Sequence, residues 1–114
     1  MSKLRYCSYN LMIKYKGLIV RFTWDESKNR INQRKHGVSF ETARLVFDDP
    51  LHLTRLERIE NGEERWQTLG LAGGVVLLLV AHTVTELGAD DTLIRIISAR
   101  KAGPIERRIY EQGT

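Results

Sequence analysis

A chain of 114 residues with 42% hydrophobic and 28% charged side chains holds one core, is short for two domains, and is far from the composition of a disordered segment. Its one cysteine excludes an internal disulfide, and Cys7 has no Cys or His neighbour at metal-ligand spacing, so neither a metal nor a cofactor is expected. The net charge is +4, no apolar run approaches the ~18 residues of a spanning helix, and residues 1–20 lack a signal peptide's apolar stretch, which together read as a cytoplasmic protein with no membrane contact.

In chain order, residues 1–19 are an N-terminal extension or a first-strand segment, with Leu11, Ile13 and Tyr15 alternating with polar positions, and residues 20–114 form a single domain. Leu18 to Phe22 has the β-branched and apolar character of a short strand. Asp25 can accept the free N–H groups that open a helix over 25–36, and Gly37 can close it in the left-handed conformation. That helix has Trp24 and Ile31 to bury and a basic surface of Lys28, Arg30, Arg34 and Lys35. Ser39 caps a second helix, with Phe40, Ala43 and Phe47 at helical spacing before Asp48-Asp49-Pro50 ends it.

From Leu51 the period changes. Leu51 to Ile59 and Glu64 to Gly70 flank Asn61-Gly62, a pair suited to positive φ, and predict a hairpin. Gly73-Gly74 turns the chain into Val75 to Val84, apolar on both faces and therefore central in a sheet. Thr92 to Ala99 is a further strand, and Gly103-Pro104 opens a last helix striped by Ile105 and Ile109. The pattern predicts an α+β fold: an antiparallel sheet of four to five strands with helices packed on one face.

The charge is unevenly spread. Residues 1–36 hold nine Lys/Arg against two Asp/Glu, 37–94 hold four against ten, and 95–114 hold five against two. If the two ends meet, they offer a positive surface to a polyanion. Arg65 and Gln67 share one face of their strand while Glu64, Trp66 and Thr68 share the other, and spacing alone leaves open which meets the helices. Arg95 stands in the same position on its own strand, whereas Arg100-Lys101 lies at a strand end, where functional groups collect. His36 follows Lys35 at a helix end, placed either to exchange protons or to complement the helix C-terminus. His82 belongs to the apolar strand and reads as structural. Tyr110 either packs or stacks on a base. Asp48-Asp49 and Asp90-Asp91 suit turns and caps better than a metal.

Three stretches, Phe22 to Lys28, Asn32 to Phe40 and Val46 to Pro50, resemble the opening of the BrnT toxin family. Glu64-Arg65-Trp66, Gly70, Arg95 to Ala102 and Glu106 to Tyr110 resemble the rest of it in order and spacing, so the resemblance spans residues 20 to 111. It implies a RelE-like fold, metal-independent endoribonuclease toxicity, and neutralisation by a ribbon-helix-helix antitoxin whose complex binds operator DNA. On that basis Arg65, Arg100, His36 and Glu64 are the expected catalytic set and Lys35, Arg95, Lys101 and Tyr110 the expected RNA contacts. A non-enzymatic nucleic-acid-binding or regulatory subunit is the alternative that the basic ends alone would satisfy.

Overall fold

The computed structural model describes the backbone of residues 6–15 and 18–113 and the side chains of residues 19–113. Its elements are β1 (Tyr6–Tyr15), β2 (Leu18–Asp25), α1 (Glu26–His36), α2 (Phe40–Ala43) running into a 3₁₀ segment (Arg44–Asp48), β3 (Leu53–Glu60), β4 (Glu63–Ala72), β5 (Val76–Gly88), β6 (Asp91–Lys101) and α3 (Pro104–Gln112). The strands form one sheet in the order β1-β2-β6-β5-β4-β3. The α+β class and the β3 to β6 meander are as the pattern predicts.

Three features depart from expectation. The sheet has six strands because Tyr6–Tyr15 forms its own strand, antiparallel to β2; the side chains of Cys7, Leu11, Ile13 and Tyr15 lie outside the described residues. The β2 to β6 pairing is parallel, since everything between the two strands is one crossover, so the sheet is mixed. The last helix also leaves the face covered by the others. Leu69 and Leu77 are buried yet stand outside the main core, on the opposite side of their strands from Thr68 and Leu78. There Leu69 shares a groove with Glu106 and Ile109 of α3.

The main core lies between the other face and α1, α2 and the 3₁₀ segment, built from Phe22, Trp24, Phe40, Ala43, Val46, Leu78, Val80, Ile94 and Ile96. Trp24 meets Phe40 edge-on with centroids 6.1 Å apart. Gly70 lets the 3₁₀ segment approach β4, because a Cβ there would lie 2.9 Å from Val46 Cγ1. His82 is buried against the Phe47 ring at 4.9 Å and sits in a chain of hydroxyls. Its Nδ1 faces the Thr83 carbonyl at 3.3 Å, which can only accept, so Nδ1 carries the proton and Nε2 accepts from Thr68 Oγ1 at 2.7 Å. Loss of solvation holds this imidazole neutral, with its pKa lowered to about 4.

The helix caps follow the sequence signals. Asp25 accepts from Ser27 N at 2.9 Å and Gly37 closes α1 at φ 70°. The burial of α1 does not, because it inserts Asn29 and Asn32 while Ile31 stays 52% exposed. The register of β2 with β6 ends at Thr23 and Arg95, so α1 takes over that edge of β6. Asn32 Nδ2 donates to Ala99 O at 2.8 Å and its Oδ1 accepts from Ala99 N at 3.1 Å, standing in for a strand neighbour, while a second Nδ2 bond reaches Val38 O at 2.8 Å. Asn29 ties α1 to α2 by accepting from Phe40 N at 2.8 Å and donating to Glu41 Oε1 at 3.0 Å. A core of apolar contacts would leave those strand-edge and helix-end groups unpaired, so the polar burial is required.

Candidate active site

Strand alternation turns Arg65 and Gln67 of β4, Leu79 and Ala81 of β5, and Ser98 and Arg100 of β6 away from the main core. Together with His36, Glu57 and Arg58 they line a groove of about 390 Å³. The C-terminus of α1 reaches the groove because Asn32 anchors the helix along β6. The register shift between Leu56 and Arg58 on β3 has a second consequence. A bulge lets two consecutive residues reach one side of a strand, which is how Glu57 and Arg58 both enter the same groove.

The groove gathers three guanidinium groups and an imidazole around one carboxylate. Glu57 is held by Arg58 Nη1 at 2.9 Å, and Arg58 reaches Glu60 at 2.8 Å. Arg65 is well enclosed, its side chain 21% exposed, and its Nε makes no hydrogen bond among the described residues beyond a 3.4 Å ion pair with Glu63. Arg100 is aimed by Glu106, which receives Nη1 at 2.9 Å and Nη2 at 2.6 Å. The Glu106 carboxylate also takes Gly103 N at 2.8 Å at the start of α3. The Arg100 bonds pull the Glu106 pKa below the usual carboxylate range and raise that of Arg100. Chemically, such a set can hold a phosphodiester by paired guanidinium donors and exchange protons beside it.

Of the residues singled out from sequence, His36, Arg65 and Arg100 converge here. Arg95 stands next to the site, its Nη2 donating to Glu63 at 2.8 and 2.9 Å, so Glu63 links it to Arg65. Glu64 is exposed on the other side of β4 and takes no part in the groove. Lys35 is exposed on α1, and Lys101 turns to the opposite side, lining a cleft with Gly37, Ser39 and Val76. Tyr110 is half-buried and donates to Asp49 Oδ2 at 2.6 Å, which raises the phenol's pKa to about 12 and makes it a fastening for α3. Glu57, Arg58, Gln67 and Ser98 are the groove residues that sequence reasoning missed. Gln67 was readable as the same-face neighbour of Arg65; Glu57 and Arg58 were hidden by the bulge, which breaks the alternation that assigns faces.

Asp49 behaves as the turn residue expected of it, accepting from Leu51 N at 3.0 Å and Leu71 N at 2.8 Å as well as from Tyr110. No group of three or more His, Cys, Asp or Glu that could hold a metal ion occurs among the described residues, and none of their helices is long and apolar enough to cross a membrane.

Comparison with known proteins adds a family. The chain resembles the 1.1 Å crystal structure of the Brucella abortus ribonuclease toxin BrnT, with a TM-score of 0.48 and 22% identity over 70% of this chain and 92% of that one. No curated protein matches it. The sequence pattern described as "Ribonuclease toxin, BrnT, of type II toxin-antitoxin system" matches residues 24–106, a stretch that contains every residue lining the groove. That match spans well over half of the sequence, and the chain therefore belongs to the BrnT family of ribonuclease toxins of type II toxin–antitoxin systems.

Proposed function

We propose that this protein is a metal-independent endoribonuclease whose cleavage site is the groove between His36, Arg65 and Arg100. The observation that carries the reading is the convergence of these three groups, from α1, β4 and β6, on one concave site in a chain of this family. Arg65 and Arg100 clamp the scissile phosphate and offset the charge that builds on its oxygens as the 2′-oxygen attacks. The Glu57 carboxylate takes the proton of the 2′-hydroxyl, and the His36 imidazolium returns one to the departing 5′-oxygen. The products are a 2′,3′-cyclic phosphate and a 5′-hydroxyl. The guanidinium groups supply the positive charge that a divalent ion would otherwise bring, and they would repel such an ion from the groove. Arg58 and, through Glu63, Arg95 extend the positive surface along the RNA.

The family implies an antitoxin and an RNA substrate; the ribbon-helix-helix character of that antitoxin, the binding of operator DNA through the complex, and action in the cytoplasm follow from the resemblance and belong to the same proposal. The test is incubation of the purified, partner-free protein with RNA in excess EDTA beside Arg65→Ala/Arg100→Ala prepared identically. Cleavage by the parent, reduced about 10²-fold or more in the variant, is expected from loss of charge stabilisation in the transition state. Equal cleavage by both would refute the phosphate assignment. Binding without cleavage by both would make the protein a non-enzymatic nucleic-acid module.

A further inference from the structure

A second groove of about 500 Å³ adjoins the first on the same face of the sheet. Gln67 and Leu79 line both, so a chain whose phosphate lies between Arg65 and Arg100 has this cavity as its next stop. Its floor is apolar, from Leu53, Leu69, Leu79 and Ile109, and its polar rim carries Arg55 and Gln67. The size suits a flat heterocycle, and an apolar floor with few polar groups is how small-ligand sites commonly fix one orientation.

The rim has a definite hydrogen-bonding sense. Arg55 donates to Gln67 Oε1 twice, from Nε at 3.1 Å and from Nη2 at 2.9 Å. A guanidinium can only donate, so the amide oxygen must face it, and Gln67 has only its amide hydrogens left for a ligand. A free glutamine reads adenine by accepting from N6 and donating to N7; with its oxygen taken, this one cannot. Arg55 and Gln67 together present donors; two base edges offer a pair of adjacent acceptors with no intervening donor, O6/N7 of guanine and O2/N3 of an unpaired cytosine, and the larger purine is the better match to a groove of about 500 Å³. Glu106 stands between the two grooves. It lines the second, binds Arg100 of the first, and lies within electrostatic reach of Arg55.

We propose that this second groove is a nucleobase subsite that selects guanine beside the scissile phosphate, with Gln67 and Arg55 as its specificity-determining residues. The proposal rests on the cleavage reading for its biological use but not for its binding test.

Two measurements separate them. In the first, binding of guanosine, adenosine, cytidine and uridine 3′-monophosphates to the purified protein is followed by chemical-shift titration, for the parent and for Gln67→Leu. Guanosine monophosphate should bind about tenfold or more tighter than the others in the parent, and the preference should collapse in the variant. In the second, cleavage positions are mapped on an RNA containing every dinucleotide, and the ratio between guanine-flanked and other sites is the readout rather than total turnover. That ratio should fall towards unity in Gln67→Leu and in Arg55→Met. A preference for another base, no preference in either measurement, or a guanine preference unchanged by both variants would overturn the subsite. Guanine-selective, Gln67-dependent binding by a protein that cuts no RNA would leave the subsite standing and refute the chemistry instead. Unselective binding with efficient cleavage would do the reverse.

Discussion

Replacing Asn32 tests whether the groove is held together from the side of α1. The Asn32→Ala variant removes the two bonds given to Val38 O and Ala99 O, both 2.8 Å, and the one taken from Ala99 N at 3.1 Å. Val38 and Ala99 are 5% and 1% exposed, so water cannot readily replace what is lost. At about 1–3 kcal/mol for each buried group left unpaired, and allowing for partial relaxation, the expected cost is about 3–4 kcal/mol. Against a typical total of about 5–15 kcal/mol, that leaves a folded but weakened protein. Urea unfolding of parent and variant measures it directly, provided the slope is unchanged. Asn32→Asp is the sharper comparison, since it keeps the volume but turns an oxygen towards the two carbonyls, so at neutral pH it should be at least as destabilising as alanine. A loss below about 1 kcal/mol for alanine, or a parent-like aspartate variant, would refute the claim that this amide replaces a strand neighbour. On the cleavage reading, the folded variants should also lose RNA cleavage beyond their loss of stability, because the end of α1 that carries His36 would no longer be held at the groove.

Three further outcomes are expected. His82 has its pKa lowered to about 4 by burial, so the unfolded chain takes up a proton near 6.5 while the folded one does not; stability should fall by up to about 3 kcal/mol as pH drops from 6.5 towards 4, and His82→Gln should flatten that slope in urea midpoints. Tyr110, with its pKa raised from 10.0 to about 12 by the Asp49 bond, contributes stability that is complete below 10 and lost as pH rises towards 12; Tyr110→Phe should cost about 1 kcal/mol at neutral pH and abolish that alkaline loss in thermal melts. Gly70→Ala would set a Cβ 2.9 Å from Val46 Cγ1 and 3.1 Å from Val46 O, and should lower stability by about 1–3 kcal/mol through overpacking; a variant as stable as the parent by calorimetry would show that the 3₁₀ segment yields freely.

Local rules carried most of the fold. The caps at Asp25, Ser39 and Gly103, the Asn61-Gly62 hairpin and the order of the β3 to β6 meander are properties of neighbouring residues, and each is where the sequence signals put it. What escaped was non-local. Nothing near Leu18–Asp25 says that its partner is the last strand of the sheet, and a helix that buries two asparagines does not show it in its hydrophobic period. The site divides in the same way. Arg65 and Arg100 could be picked as cations on or at the end of strands, but Lys101, one residue further along, projects to the other side. Glu64 likewise falls on the far side of its strand by parity, and the Tyr110 hydroxyl is engaged by the carboxylate of a turn. The Glu57-Arg58 pair was invisible because a bulge leaves no mark in the alternation of a strand as polar as LTRLERIE.

The parallel seam between β2 and β6 also sets an order of events during synthesis. Every cation of the groove except Arg100 is encoded before residue 66, yet Ser98 and Arg100 belong to the strand that completes both the seam and the site. Asn32 has no Ala99 to bind until that strand arrives, so α1 has no edge to hold it beside the groove. A nascent chain carrying all but its last quarter therefore has its histidine and most of its arginines but no assembled groove, and such long-range pairing is intrinsically slow to form. On the reading of the groove as the cleavage site, the growing polypeptide stays without that site until β6 is in place.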